Sequence, residues 1–317
     1  MKNKKILRIG VVLLLLFGYI YSCKDKSAKI KIGYQEISLY QHIFIAEEKG
    51  FFKEENLEVE LVPFKSANQM MQALISGDVD VLGLTNLQVA LTVEAKEKGK
   101  FKMINFLVWG KQSYPDYIIA KKEATIKSLK DFEGKTLGLH PGSAVKAFAA
   151  TILKLNKVDE TKVSTIELEP GVMQSSLLAN KVQAVYCMDP AATKLMNTGE
   201  CEVIMPNPMQ HIFPAPTPIS GTAISSKVAS KLDLKNRIIR AIDKGIDYTR
   251  DTKNKTEINS IIANYTPIKA NLMEKMNPSE YWKTKEIDIN RVQSLSDKFF
   301  ELKIIEKKIN VNEVIAK

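Results

Sequence analysis

The sequence predicts an α/β protein of two lobes, and three observations carry that reading. Short apolar runs alternate with amphipathic stretches along the chain, helix-starting and helix-stopping residues fall between them, and the pattern halts and restarts once before a proline-rich return. Alternating strand and helix units imply mostly parallel sheets with helices on their faces. The 317 residues suffice for two lobes of ordinary size, each with a buried core.

The elements follow in order. A first strand reads Ile30 to Tyr34, and the helix after it, about Leu39 to Lys49, has Ser38 as N-cap, Gln41 as reciprocal partner and Gly50 as stop. A second strand, Val59 to Val62, precedes a helix capped by Ser66 with Gln69 and ended by Gly77. A third, Val79 to Leu84, leads to Thr85 with Gln88 three residues on and a helix ending near Lys98 and Gly99; a strand from about Phe101 to Trp109 completes the block. After Tyr114 and Pro115 the chain crosses over, with Ile118 to Ala120 extended. The second block pairs Thr136 to Leu139 with a helix from Ala144, Val163 to Leu168 with a helix from about Val172, and Ala184 to Cys187 with a helix opened by Asp189 and Pro190 at its first position. Residues 206–218 hold five prolines and little periodicity, as expected of a linker returning to the first block. From Asp233 the pattern is helical, with Ile238, Ile239, Ile242 and Ile246 on one face and a last helix from Asn290 to Phe300. The division expected is a leader at 1–22, a tether at 23–29, one lobe from 30–117 with 222–317, and a second from 118–221.

The leader bears on compartment. Lys2, Lys4, Lys5 and Arg8 precede an apolar run from Ile9 to Ile20, the pattern of a secretory signal and shorter than the ~20 residues of a bilayer span. The tetrapeptide Ile20, Tyr21, Ser22, Cys23 resembles a bacterial lipobox, which implies acylation of Cys23 and an exported, membrane-anchored lipoprotein; the alternative is an ordinary signal peptide containing a cysteine. The formal charge of +10 falls to +6 without the four positive residues of the leader, and Lys is spread along the whole chain, so nucleic acid is not an expected partner. Cys187 and Cys201 could pair but suit small buried hydrophobes better.

Enzyme and metal chemistry find little support. Gly134, Lys135 and Thr136 mimic the end of a phosphate-binding loop, but Leu129 stands where its first glycine belongs, and there is no G-x-G-x-x-G. His42, His140 and His211 are widely spaced, and Asp78 with Asp80 reads as a surface feature, so no catalytic residue, metal or cofactor is expected.

Four stretches carry a family likeness: IKIGYQ from Ile30, AEEKGFFKEENLEVELVPF from Ala46, MQALISGDVDVLGL from Met71, and SLKDFEGKTLGLHPGSA from Ser128. In order and spacing they resemble the solute-binding proteins of the aliphatic-sulfonate, taurine, nitrate and thiamine-precursor ABC importers. That resemblance implies a type II periplasmic-binding-protein fold, two α/β lobes joined by two crossing strands, and a monomeric receptor that closes on a small molecule and delivers it to a permease with its ATPase. The chain departs from the family where a second Gly-x-Val-Asp-Ala motif is often found; here it reads Asn180, Lys181, Val182, Gln183, Ala184.

In open parallel sheets ligands bind beyond the carboxyl ends of strands, where helix N-termini also point. Those ends give the candidate contacts Gln35, Ser38, Tyr40, Gln41, Thr85, Asn86 and Trp109 from the first lobe, and His140, Gly142, Ser143, Ala144, Glu169 and Asp189 from the second. Each has a plainer role available: Ser38 and Thr85 as caps, Trp109 as core, Tyr40 and Gln41 as solvent-facing side chains, Asp189 as an N-cap. Helix N-termini favour an anion, whereas Glu36, Glu169 and Asp189 with no arginine nearby favour a neutral or cationic heterocycle. The alternatives to a receptor are an enzyme on the same fold acting on a thiamine-pyrimidine-type precursor, and a surface lipoprotein that transports nothing.

Overall fold

The computed structural model describes residues 27–141 and 143–316, so the leader, Cys23 and Gly142 lie outside the described residues. The chain runs β1 (Ala28–Tyr34), α1 (Gln41–Glu48), α2 (Phe51–Glu54), β2 (Leu57–Pro63), α3 (Ala67–Ser76), β3 (Val81–Asn86), α4 (Leu87–Lys96), β4 (Phe101–Met103) and β5 (Phe106–Trp109). It then crosses into β6 (Asp116–Lys121), β7 (Thr136–Leu139), α5 (Ser143–Leu155), β8 (Ser164–Glu167), α6 (Pro170–Leu178), β9 (Ala184–Met188), α7 (Ala191–Met196) and β10 (Cys201–Pro206). It returns through β11 (Thr217–Ser225), α8 (Ser226–Ala229), α9 (Leu232–Arg250), α10 (Lys255–Tyr265), α11 (Ala270–Met273), β12 (Glu280–Trp282) and α12 (Ile289–Glu301). No helix among the described residues is long and apolar enough to cross a membrane.

The strands form two mixed sheets rather than mostly parallel ones. The larger has the order β12-β5-β11-β3-β1-β2 with β4 also on β11, and the smaller β10-β6-β9-β7-β8. β1 runs parallel to β2 and β3, and β7 parallel to β8 and β9, as the strand–helix alternation requires. β11 lies antiparallel to β3, β4 and β5, and β6 antiparallel to β9 and β10. A chain entering one sheet from the other arrives at the carboxyl edge of its parallel strands, so it must run against them. The segment expected as a linker is therefore partly structural: after Pro206 it makes a short turn of 3-10 helix, Pro208–His211, and from Thr217 it is already β11. The single strand expected from Phe101 to Trp109 is two strands, β4 and β5.

Local signals explain some boundaries and miss others. Ser66 caps α3 by accepting from Gln69 N–H at 3.3 Å, and Gly77 ends it at φ 88°, as read from the sequence. Ser38 is not the cap of α1: it opens a 3-10 turn, Ser38–Tyr40, and Tyr40 takes the N-cap position. Thr85 does not cap α4 either, because β3 runs through it and Asn86 stands at the N-cap. Pro190 precedes α7 as its N-cap, one position before the expected one, while Asp189 Oδ1 accepts from Thr193 N–H at 3.0 Å and from its hydroxyl at 2.6 Å. Cys187 and Cys201 are both free and buried.

α9 packs chiefly against α1 and α2. Ile238, Ala241, Ile242 and Ile246 are fully buried, each aliphatic side chain contributing on the order of 2 kcal/mol by leaving water. Gly245 lets α9 press onto α1, since a Cβ there would sit 2.2 Å from the His42 carbonyl oxygen. His42 itself is fully buried, its Nε2 3.2 Å from the Thr222 hydroxyl of β11 and its ring 4.5 Å from that of Tyr281 on β12. Thr222 in turn donates to the Gly83 carbonyl of β3 at 2.7 Å and takes, at its N–H, the Asn105 carboxamide oxygen at 3.1 Å.

Two predictions follow from this packing. Gly245→Ala should cost about 1–3 kcal/mol by forcing α9 off α1, read as a lower urea midpoint with an unchanged slope. Burial pushes the His42 imidazole from 6.5 to about 3, so between those pH values the unfolded chain binds a proton that the folded chain refuses. Stability from this group is full above pH 6.5 and is lost as pH falls toward 3, by up to ~1.4 kcal/mol per pH unit. His42→Gln should remove this gain, so that from pH 4 to pH 7 its urea midpoint rises less, or falls more, than the wild-type midpoint does.

Candidate functional site

The two crossings between the sheets, after Trp109 and after Pro206, run side by side and are tied at Asp116, the first residue of β6. Asp116 is fully buried; its Oδ2 accepts from Met209 N–H at 3.0 Å and from the Tyr186 hydroxyl at 3.2 Å, and its carbonyl accepts from Asn207 N–H at 2.9 Å. Its Oδ1 has no partner, and burial raises the carboxyl from 3.8 to about 7. Beside it, Asp189 N–H donates to the Pro115 carbonyl at 2.8 Å. Asn277, just before β12, donates through Nδ2 to the Tyr114 carbonyl and to the Tyr117 hydroxyl, both at 2.9 Å. Phe148 of α5, Phe213 of the second crossing and Phe299 of α12 pack ring on ring with centroids 5.4–6.2 Å apart. One hydrophobic core therefore runs from the larger sheet into the smaller, and a second lies within the smaller alone.

Against this junction opens a cavity of about 260 Å³. Four of the sequence-predicted site residues line it: Ser38, Gln41 and Trp109 from the larger-sheet side, and Asp189 from the smaller. Trp109 is only 5% exposed and its indole N–H has no partner. Burial raises the Asp189 carboxyl above its ordinary value, against the pull of its two hydrogen bonds from Thr193.

The other predicted residues lie outside that cavity's lining. Tyr40 is a core residue, neither a cleft contact nor solvent-facing: it is 2% exposed and donates to the Leu84 carbonyl at 3.0 Å. Its ring lies so close to β3 that a Cβ on Gly83 would meet it at 2.8 Å. Gln35 braces the loop after β2 by donating to the Lys65 carbonyl at 3.2 Å. Thr85 is buried with its hydroxyl unpartnered, and exposed Asn86 accepts from the Ser220 hydroxyl at 2.8 Å. His140 accepts from Met188 N–H at 3.3 Å through Nε2, and burial lowers its basicity. Ser143 and Ala144 open α5 directly after the undescribed Gly142, and Glu169 is an exposed N-cap residue of α6 whose side chain makes no cap bond.

Sequence reasoning missed the far wall. Asn259, Ile258 and Ile262 of α10, with Met273, Met276 and Asn277 after it, line the same cavity. One signal was available: Asn259 is a polar residue on the buried stripe formed by Ile258, Ile261 and Ile262, and it is 7% exposed with its Nδ2 unpartnered. A carboxamide on an apolar face is costly unless something satisfies it. Among the described residues no group of three His, Cys, Asp or Glu side chains could hold a metal ion.

Two lobes, each a mixed sheet flanked by helices, joined by two crossings with a cavity against them, make up a periplasmic-binding-protein fold. The profile of the family described as "NMT1/THI5 like" matches residues 40–255, and the chain belongs to that family. It is 27% identical over 164 residues to the "Putative binding protein YtlA" of Bacillus subtilis (strain 168), covering 49% of this chain and 48% of that protein. The chain thus spans about half the length of the curated relative it matches. Among solved structures, the aliphatic sulphonate binding protein SsuA from Escherichia coli superposes with a TM-score of 0.73 at 15% identity, over 91% of this chain and 97% of the other. The nitrate-binding protein NrtA from Synechocystis PCC 6803 does so at 0.69 and 12% identity, over 90% and 84%. At such identities the likeness is one of fold.

The Asp116 tie makes its own prediction. Between pH 3.8 and about 7 the folded chain keeps a proton that the unfolded chain releases, so this group's contribution is lost as pH rises through that window. Asp116→Asn, which retains an acceptor for Met209 and Tyr186, should remove the loss: its urea midpoint should drop less than the wild-type midpoint between pH 5 and pH 8.

Proposed function

We propose that the protein is an extracytoplasmic solute-binding lipoprotein of an ABC importer, with a small organic solute captured between its lobes and handed to a permease and its ATPase. In this reading the lobes are 30–117 with 222–317, and 118–221, the chain is monomeric, and residues 1–22 are a signal removed before lipid attachment at Cys23. No enzymatic step is assigned. The observation that carries the proposal is the cavity at the junction, which brings Ser38, Gln41 and Trp109 of one lobe against Asp189 of the other. A ligand held by both lobes favours the closed arrangement by its differential contacts, and the paired crossings are the elements that bend. The solutes named for the similar structures, a sulphonate for SsuA and nitrate for NrtA, are the first to try.

The test is a thermal-melting screen of the chain from Lys24 onward against sulfonates, nitrate, pyrimidine and thiamine precursors, flavins, amino acids and polyamines, with mass analysis of the solute afterwards. A solute that raises the melting temperature and is recovered unchanged is the expected result, since binding only the folded state must stabilise it. Consumption of the solute would favour an enzyme on the same fold, and a melting curve that no solute moves would favour a lipoprotein without cargo.

A further inference from the structure

We propose that residues 266–279, between α10 and β12, form a strap from the larger-sheet lobe to the smaller across the junction cavity, and that its release from the smaller lobe opens that cavity. The inference holds for whatever the cavity takes, so it stands apart from the solute-binding reading. One end of the strap is rooted by apolar packing. α11 lies against α10, Ile268 and Met273 are each 5% exposed, and the Lys255 ammonium of α10 donates to the Glu274 carbonyl at 3.3 Å. The other end is tied by polar bonds. Lys275 donates to the Asn197 carboxamide oxygen, just after α7, at 3.1 Å, and Asn277 Nδ2 donates to the Tyr114 carbonyl of the first crossing and to the Tyr117 hydroxyl of β6, both at 2.9 Å. Met273, Met276, Pro278 and Ser279 of the strap supply one wall of the cavity.

The chemistry of the two ends decides which gives way. Lifting the root would expose Ile268 and Met273, whose apolar surface gains nothing from water. Lifting the tied end exchanges bonds to protein for bonds to water, a near-balanced trade once both partners are wetted. Lys275 and Asn197 are both exposed, so their bond already competes with solvent. Asn277 is half-buried and Tyr117 is 7% exposed, so that pair is wetted when the strap leaves, and it carries the larger part of the tie. Elsewhere the lobes are joined by buried contacts, the Asp116 carboxyl on Met209 and Tyr186 and the rings of Phe148, Phe213 and Phe299. A wall held by replaceable bonds beside a junction held by buried ones is a gate: it moves while the junction stays.

The experiment uses the full chain with Trp282→Phe, which leaves Trp109 of the cavity wall as its one tryptophan, and acrylamide as a small neutral quencher. Trp109 is 5% exposed, so collisional quenching of its fluorescence requires the cavity to open. In this background the quenching constant should rise on the order of tenfold in Asn277→Ala, through the loss of two hydrogen bonds, and about twofold in Lys275→Ala, through the loss of one exposed bond. Melting curves of each variant accompany the measurement. Unchanged quenching in Asn277→Ala at an unchanged melting temperature would overturn the proposal. Should Asn277→Ala melt below the measuring temperature, Lys275→Ala decides, because its exposed side chain is not part of the core and its fold should be intact. Unchanged quenching there would equally overturn the proposal. No solute enters the measurement, so its failure leaves the solute-binding reading where it stood.

Discussion

The arrangement depends on β11 lying antiparallel between β3 and β5. That one strand closes the larger sheet with chain that has already built the smaller, and it brings the second crossing alongside the first. Its position is over-determined. Thr222 is bound to Gly83 on β3 and to Asn105 between β4 and β5, with His42 of α1 held above it, while Gly221 admits the Asn105 carbonyl where a Cβ would come within 2.3 Å. A strand of low sequence locality is entropically expensive to place, and a buried polar network fixes its register where hydrophobic contact alone would allow slippage.

The junction carries polar groups that a purely structural interior would avoid. Asp116 places a carboxyl with one unpaired oxygen in the interior, yet it is the group that holds β6, Tyr186 of β9 and Met209 of the second crossing to one point. Replacing such groups with apolar ones often leaves a protein as stable or more so. Their value here is directional: hydrogen bonds specify where two crossings meet, whereas the phenylalanine cluster of Phe148, Phe213 and Phe299 supplies cohesion without direction. Two lobes joined this way are held by directed bonds at the crossings and by a buried core that spans both.

His42 and Asp116 also show burial acting in opposite directions on the two kinds of titrating group. Both are forced toward their neutral forms, the imidazole by losing its proton and the carboxyl by keeping it. Their linkages to folding have opposite sign and overlap over the mildly acidic range, so they offset one another there. A flat stability profile in that range would thus conceal two steep ones.

What the sequence by itself determined was local and periodic. The strand–helix alternation, the Ser66 cap, the Gly77 stop and the apolar stripe of α9 are written within a few residues of one another, because capping and amphipathicity are short-range physics. The strand-end rule brought Ser38, Gln41, Trp109 and Asp189 to the cavity for the same reason, since it needs only the ends of predicted strands. Tertiary structure alone decided the rest. Tyr40 sits one residue before Gln41, and only its packing against Gly83 and its bond to Leu84 show that it serves the core. Thr85 carries the sequence marks of a cap and is instead a buried strand residue, because pairing with β11 extends β3 through it. The antiparallel course of β11 and the far wall from Asn259 to Asn277 depend on contacts between segments more than a hundred residues apart in sequence. No local pattern encodes such a contact; it is selected by which surfaces can be buried together once the lobes have formed.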